Sequence, residues 1–275
     1  AHWVTGNGIV IEPYAYGRND SYSFEDLPAS YGVPEDSFSR QLGLVGAEIS
    51  WPFYRPGETV DWIVEPVFSA TAASDDPDSA RIYNEDSISL DLDESLLFTP
   101  IRAAGFDIWE PGQRVSYGVR TTGQWGRSGL ASLFVGQSYR LDGDPVFSPG
   151  SGLYDDGSDY IVAGSIDIAG FTADLQTRLD ERDGDINRVD FAVTYVSDRF
   201  GGGISYLEVS DDDGTRSDLD RGTSRLTTAG FRFADECTEL DIVYQREDDL
   251  IASLGPSESI QIRITLFTLG GVTPD

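Results

Sequence analysis

The sequence is poor in the residues that build most catalytic and metal sites. Its 275 residues include one cysteine, one histidine and no methionine. The single cysteine, Cys237, cannot form a disulfide framework within the chain. A serine–histidine–aspartate triad or a histidine-based metal site would have to use His2. No G-x-S-x-G, P-loop, H-E-x-x-H or C-x-x-C motif occurs. We therefore expect no cofactor, no metal site and no enzymatic activity.

Long apolar runs and positive charge are also scarce. No run of eighteen or more apolar residues is present, which excludes a transmembrane helix. The 48 acidic residues outnumber the 19 basic ones, for a formal net charge of -29. Nucleic acid and anionic membrane surfaces are disfavoured as direct partners, because both require a basic face. Since methionine is absent and no signal peptide opens the chain, we expect an interior piece of a longer protein, with any targeting signal upstream.

What the chain has in quantity is glycine, proline and aromatic residues, a composition typical of many strands and turns. The segment 259–269, SIQIRITLFTL, shows the pattern most clearly. Apolar side chains occupy Ile260, Ile262, Ile264 and Leu266, and mostly polar ones lie between them. Because successive strand side chains point to opposite faces, this segment has one apolar and one polar face. It is either an edge strand of a soluble sandwich or the closing strand of a membrane β-barrel.

The lengths of the connections favour the barrel. From residue 114 onward, short turns near 126–129, 169–170, 200–202 and 236–238 alternate with long loops at 142–158, 180–187, 211–224 and 247–258. In an antiparallel up-and-down sheet, such alternation places the short turns at one end and the long loops at the other, as in outer-membrane barrels. Strands of about ten residues match the thickness of the hydrocarbon layer. The sequence predicts an all-β, up-and-down transmembrane β-barrel portion with about 13 strands.

The first third of the chain fits this rhythm less well. The alternation of Ile88, Leu90 and Leu92 predicts a strand over 84–98. The connection 20–37 should belong to the short-turn end and is too long for it.

The strand pattern also sorts polar and aromatic side chains. The polar residues predicted on the inner face are Arg120, Thr122, Asp174, Gln176, Arg178, Asp241, Gln245, Gln261 and Arg263. The outward tyrosines near strand ends are Tyr117, Tyr139, Tyr195, Tyr206 and Tyr244. In a membrane barrel the first set lines water and the second forms an interfacial girdle. In a soluble protein, the polar set would be the solvent-exposed face of a sheet. The tyrosines would then reflect the ordinary preference of aromatic residues for strands.

Acidic residues concentrate in the long loops. The groups are Asp142, Asp144, Asp155 and Asp156; Asp180, Glu181, Asp183 and Asp185; Asp211, Asp212, Asp213, Asp218 and Asp220; and Glu247, Asp248, Asp249 and Glu258. We interpret these acidic residues as solvent-exposed side chains of loops. The alternative is that these carboxylates share divalent cations with phosphorylated surface lipids.

Short motifs spread over nearly the whole chain resemble one family. They include SWPF at 50–53, VEP at 64–66, NEDS at 84–87, GFD at 105–107, EPGQR at 110–114, GQSY at 136–139, SGL at 151–153, Cys237, YQR at 244–246 and LG at 269–270. In this order and spacing, the chain resembles the C-terminal half of the barrel of LptD, the lipopolysaccharide-assembly outer-membrane protein, of the alphaproteobacterial kind.

The resemblance implies a translocon rather than an enzyme. Family members receive lipopolysaccharide from a periplasmic Lpt bridge through an N-terminal jellyroll and release it into the outer leaflet by parting the first and last barrel strands. A lipoprotein, LptE, plugs the lumen. The expected partners are therefore lipopolysaccharide, an LptE-like lipoprotein and the periplasmic bridge, and the expected location is the outer membrane. Residues 1–275 would be the C-terminal part of the barrel, with the jellyroll and first barrel strands outside this sequence.

The resemblance also assigns roles to particular residues. One lip of the lateral gate, the opening between the first and last strands, would comprise Ile260, Gln261, Ile262, Arg263, Ile264, Thr265 and Leu266. Cys237 falls where the family carries a cysteine that bonds to the N-terminal domain. Many members have two adjacent cysteines there, whereas this chain has Glu236 beside Cys237, so at most one such bridge is possible.

Three alternatives stay open at this point. A porin-like outer-membrane channel shares the pattern of strands and loops. A soluble β-sandwich adhesin or secreted binding module would use the same alternation for a buried core. An outer-membrane hydrolase would depend on His2.

Overall fold

A computed structural model of the chain describes residues 2–25, 36–82, 90, 92–126, 129–211, 222–235, 238–249 and 256–266. These residues are almost entirely β-structure. The strands are β1 Trp3–Val4, β2 Val10–Phe24, β3 Asp36–Ser50, β4 Phe53–Arg55, β5 Asp61–Ala73, β6 Gly112–Trp125, β7 Gly129–Asp142, β8 Tyr160–Ile168, β9 Phe171–Leu179, β10 Ile186–Val196, β11 Phe200–Asp211, β12 Gly222–Ala234, β13 Thr238–Asp249 and β14 Ser257–Leu266. The described helical segments are α1, Glu94–Phe98, and the 3-10 turns Ser79–Arg81 and Pro149–Ser151.

The 14 strands form one antiparallel sheet in which neighbours in the chain are neighbours in space. The order runs from β1 to β14 without a crossover, and the short strand β4 lies off this path, paired with β5. The predicted all-β, up-and-down architecture is therefore confirmed. None of the described helices combines the length and apolar character needed to cross a bilayer.

The chain divides into two compact units. The first comprises Ala1–Pro52, Pro66–Gly118 and Gln137–Ser158; the second comprises Phe53–Glu65, Val119–Gly136 and Asp159–Asp275. In the first unit, connecting loops pack against the sheet. In the second, the strands β8 to β14 follow one another in a register that shifts once, between Ile186 and Arg188.

The strand predicted over 84–98 is wrong for the part that is described. Residues 83–89 and 91 lie outside the described residues, and 94–98 form α1 instead. The physical reason is the N-cap: the Asp93 carboxylate accepts a hydrogen bond from the backbone N–H of Leu96 at 2.8 Å. Leu92, which was part of the predicted alternation, and Leu97 of α1 are both buried.

The connection predicted over 20–37 is shorter than expected, because β2 extends to Phe24 and β3 begins at Asp36. In the second unit, the described connections alternate in length as predicted: the turns 169–170 and 197–199 flank the longer loop 180–185.

The tightest turn shows how local chemistry sets the register. Ile168 pairs with Phe171, so only Ala169 and Gly170 connect β8 to β9. Both have positive φ, 51° and 81°, the conformation that a two-residue hairpin turn requires. A Cβ on Gly170 would lie 2.3 Å from the Val196 carbonyl oxygen, so glycine is also needed for space.

We predict that Gly170→Ala destabilises the protein more than the matched substitution Gly126→Ala. Both glycines have positive φ in short turns, but a Cβ on Gly126 would meet no atom within 4 Å. Gly126→Ala should cost about 1 kcal/mol for the left-handed conformation, and Gly170→Ala about 1–3 kcal/mol more for the backbone overlap. Thermal unfolding in detergent, followed by the circular dichroism of the sheet, measures both. Equal midpoints for the two variants would contradict the turn geometry.

Candidate functional site

The register of the second unit separates apolar from polar side chains row by row. One row of paired residues across β7 to β14 is apolar: Ala131, Ile166, Ala173, Val193, Ile204, Ala229, Tyr244 and Ile260. The adjacent row, on the opposite face, is Ser132, Ser165, Asp174, Ala192, Ser205, Thr228, Gln245 and Ser259. We call these the apolar face and the polar face. This division of side chains is the pattern expected of a sheet that lies between an apolar and an aqueous phase.

The polar side chains predicted for one face do share it. Asp174 and Gln245 lie in the polar row, and Gln176 pairs in register with Asp190. Asp241 lies opposite both Arg232 and Arg263. Arg120 forms an ion pair with Glu65 at 3.3 Å.

The predicted aromatic positions are also placed by register. Tyr195, Tyr206 and Tyr244 share the apolar face with Val193, Ile204 and Ile260. Tyr117 and Tyr139 are exposed in the first unit, and the Tyr117 hydroxyl donates to Oε1 of Gln137 at 2.6 Å.

Sequence reasoning missed the phenylalanines of the same face. Phe171, Phe200 and Phe231 are exposed near the short turns. The available signal was their place in the predicted strands: Phe171 and Phe200 are the first residues of β9 and β11, and Phe231 lies three residues before the end of β12.

Strand β14 is the edge of the sheet. It pairs with β13 from Thr238↔Leu266 to Glu247↔Ser257, and within the described residues no strand pairs with its other side. All seven predicted gate residues lie in it. Ile260, Ile262, Ile264 and Leu266 are on the apolar face with 63–71% of their surface exposed, and Gln261, Arg263 and Thr265 are on the polar face. An edge strand carries backbone donors and acceptors available to a further strand.

Cys237 and its neighbour Glu236 lie outside the described residues. The same holds for the end of the predicted closing strand, residues 267–269, and for the acidic residues 212–220.

In the first unit, described residues of the connection between β5 and β6 pack on β2, β3 and β5. The Trp109 side chain packs with Leu42 and Leu44 and is bordered by Tyr14, Ala73 and Ile101. Its indole N–H donates to the carbonyl oxygen of Ser74 at 2.8 Å.

A buried arginine ties this connection to the sheet. Arg40 of β3 is 3% exposed. Its guanidinium donates to Asp20 at 3.0 Å, to Asp76, and to the backbone carbonyls of Phe106 and Asp107. Sequence reasoning missed Arg40. The available signal was its position: Arg40 lies two residues before Leu42 in β3, so its side chain points to the same face as Leu42 and Leu44. A charged residue on a buried face indicates an arginine that is paired within a core.

A second buried group of charges holds the end of the connection. Glu110 accepts from Arg102 Nε at 2.9 Å and lies 3.3 Å from Arg114 Nη1. Arg114 also donates to the carbonyl oxygens of Thr99 and Pro100. Burial would raise the pKa of Glu110, but the charge of Arg102 and its hydrogen bond outweigh burial, and the pKa is lowered. Glu110 is therefore a carboxylate shared by two arginines.

Between these loops lies a polar cavity of about 550 Å³. Five acidic residues line it: Asp75, Asp76, Asp142, Asp144 and Asp156. Arg140 lines it too and forms an ion pair with Asp156 at 3.3 Å. Over the part of the chain that the structure describes, no three His, Cys, Asp or Glu side chains are arranged to hold a metal ion. The suggestion that loop carboxylates bind divalent cations stays a prediction.

Comparison with known proteins gives one finding. The model of the family described as LptD, LPS transport system D, matches residues 3–241. The match begins in β1 and ends inside β13, so β14 lies beyond it. No curated protein matches the chain.

We predict that Glu110→Gln loosens the connection that carries Trp109. The substitution leaves Arg102 and Arg114 buried without their shared counter-charge, at a cost of about 3–5 kcal/mol. Faster hydrogen exchange and proteolysis of residues 92–111 should follow, whereas Asp144→Asn, at an exposed position of another loop, should change neither. Unchanged exchange in Glu110→Gln would show that the ion pairs do not hold the segment.

The same carboxylate predicts a pH dependence. Because the folded-state pKa of Glu110 is below its ordinary value of 4.5, its contribution to stability is complete above about pH 4.5 and is lost as the pH falls through the lowered pKa. Hydrogen exchange of 92–111 should accelerate below that pH, beyond the intrinsic pH effect, in the wild type. Glu110→Gln should lack this acid-dependent step.

Proposed function

Because the LptD model covers most of its length, the chain belongs to the LptD family and serves lipopolysaccharide transport and assembly at the outer membrane, and we propose that β14 is one lip of the opening through which the lipid leaves. Ile260, Ile262, Ile264 and Leu266 would face acyl chains there, and Gln261, Arg263 and Thr265 the aqueous side.

The position of β14 in the sheet supports this assignment. Every strand from β2 to β13, apart from the short β4, has a neighbour on each side in the sheet order, whereas β14 has one. Unpaired backbone groups in hydrocarbon cost several kcal/mol each, so such an edge must pair with a further strand. We place that strand in the first part of the barrel, outside this sequence. A seam with few hydrogen bonds is where strands part at the lowest cost.

The exposure of the apolar face is the observation that supports a membrane location. Ile204 and Ile262 are 57% and 65% exposed although they lie in the middle of long strands. In a soluble sandwich, a second sheet would cover them. The described strands form a single sheet. An apolar surface of this extent requires a partner, and a bilayer is the partner that fits an alternating sheet.

We place the protein in the outer membrane, with its polar face toward a water-filled lumen occupied by an LptE-like lipoprotein. The periplasmic Lpt bridge would reach it through the N-terminal jellyroll, outside this sequence. The hydrophilic rows of β8 to β14 support a wet lumen. The LptD family is a transport and assembly family, and we propose that this chain has no catalytic activity.

The test of the gate is site-specific crosslinking in the full-length protein during transport. A photoreactive residue at Ile260 should capture lipopolysaccharide. The control is Val193, which lies in the same register row of the apolar face but on β10, four strands away. We expect capture at Ile260 to exceed that at Val193 severalfold and to depend on an energised transport system. Equal capture at both positions would reject β14 as the lip.

We further propose that Cys237 is disulfide-bonded to a cysteine in the N-terminal domain. Cys237 lies between β12 and β13 in the sequence, and the pattern of connections predicts a short turn there, on the periplasmic side of an outer-membrane barrel, where a disulfide can form. A thiol reagent should label the unfolded, intact protein only after reduction, and Cys237→Ser should abolish a mobility shift between reduced and unreduced samples. Labelling of Cys237 without reduction would exclude the bridge.

A further inference from the structure

Five charged side chains form a row on the apolar face near the edge strand. We call Glu208, Arg225, Asp248, Arg246 and Glu258 the ionic row. Glu208 binds Arg225 through two contacts, Nε–Oε2 at 3.2 Å and Nη2–Oε1 at 3.3 Å. Asp248 binds Arg246 in the same way, at 3.1 Å and 3.3 Å. Arg246 also reaches Glu258 of β14 at 3.4 Å. The row spans β11 to β14 with alternating charge.

The ionic row marks the limit of the apolar surface at the long-loop end. Glu208 is two residues beyond Tyr206, Arg246 two beyond Tyr244, and Glu258 two before Ile260, so each lies on the same face as its apolar neighbour. The Tyr206 hydroxyl donates to the Glu208 carboxylate. Tyrosines followed by charges are the sequence of side chains expected where hydrocarbon gives way to lipid headgroups.

The row is confined to the strands nearest the edge. The register row that contains Glu208 and Arg225 continues through β10, β9 and β8 as Val189, Thr177 and Val162, none of them charged. Exposed ion pairs contribute little to stability in water. A local row of them next to β14 is better explained by a ligand at the membrane boundary than by a general contribution to the fold.

The guanidinium groups of Arg225 and Arg246 are suited to bind phosphate. Their side chains are 47% and 44% exposed, and each is held on one edge by two contacts from a carboxylate. These contacts use Nε and Nη2 of Arg225 and leave its Nη1 for phosphate oxygens, whereas Nη1 of Arg246 also contacts Glu258 at 3.4 Å and keeps one further N–H. The acidic members keep the arginines oriented and reduce the side-chain entropy lost on binding.

We propose that Arg225 and Arg246 bind the phosphate groups of lipid headgroups at the outer boundary of the membrane, beside the edge strand. The proposal rests on the proposed function and deepens it, because it assigns the phosphorylated headgroup of the transported lipid to named residues. The ion pair from Arg246 to Glu258 then places that headgroup at β14 itself.

The test uses the full-length protein in phosphatidylcholine nanodiscs that contain either lipid A or lipid A from which both phosphates have been removed. Native mass spectrometry measures the lipid retained. We expect the wild type to retain the phosphorylated form preferentially. Arg225→Gln and Arg246→Gln should each lower that retention about fivefold, the effect of one cationic side chain at an anionic membrane surface, without changing retention of the dephosphorylated form.

The matched control is Arg232→Gln. Arg232 lies on the same strand as Arg225, is 58% exposed and pairs with Glu239, but it is on the polar face. It should leave retention of both lipids unchanged. Heat-dependent migration in detergent gels checks that every variant keeps its sheet.

The outcomes separate this proposal from the one it rests on. If folded Arg225→Gln and Arg246→Gln proteins retain phosphorylated lipid like the wild type, or if Arg232→Gln loses as much, the headgroup site is overturned and the transport assignment stands. If the wild type retains neither form of lipid A above phosphatidylcholine, both proposals fail.

Discussion

Cross-strand register is the constraint on which the rest of the structure depends. From β8 to β14 the pairing shifts once, between Ile186 and Arg188, and is otherwise continuous. Because side chains alternate with a period of two, a slip of one residue in any strand would move its apolar set to the polar face. Continuous register is what assembles single residues such as Val193 and Ile260 into a surface that a bilayer can solvate.

The protein handles polar groups in two different ways. Within the first unit, charges such as Arg40 and Glu110 are buried and fully paired, and they fix a long connection on the sheet. In the second unit, the backbone of β14 is left with one open side among the described residues. The first arrangement is rigid because separating a buried ion pair is costly. The second is open to change because an edge can exchange partners. The proposed opening, in which one seam parts while the rest of the wall holds, would use both arrangements.

The edge strand and the ionic row together suggest how a lipid with apolar acyl chains and a phosphorylated headgroup is bound. In the proposed gate, the isoleucines of β14 would contact acyl chains, and Arg225 and Arg246 would bind the headgroup. Family membership is established by the match over 3–241, which stops before β14. The gate and headgroup assignments therefore rest on the sheet order and on side-chain contacts rather than on the family match.

The sequence by itself determined the repeating local features: strand positions, short turns such as Ala169–Gly170, and the two faces of β14, since these follow from a period of two and from turn chemistry. It predicted a strand where 94–98 form a helix, because the apolar alternation before this segment does not reveal that Asp93 caps a helix. Only the tertiary structure decided which charges meet. Arg40 joins Asp20 and Asp76, and Glu208 joins Arg225, across distances in the chain that no local pattern encodes, because sheet register and loop packing alone bring them together.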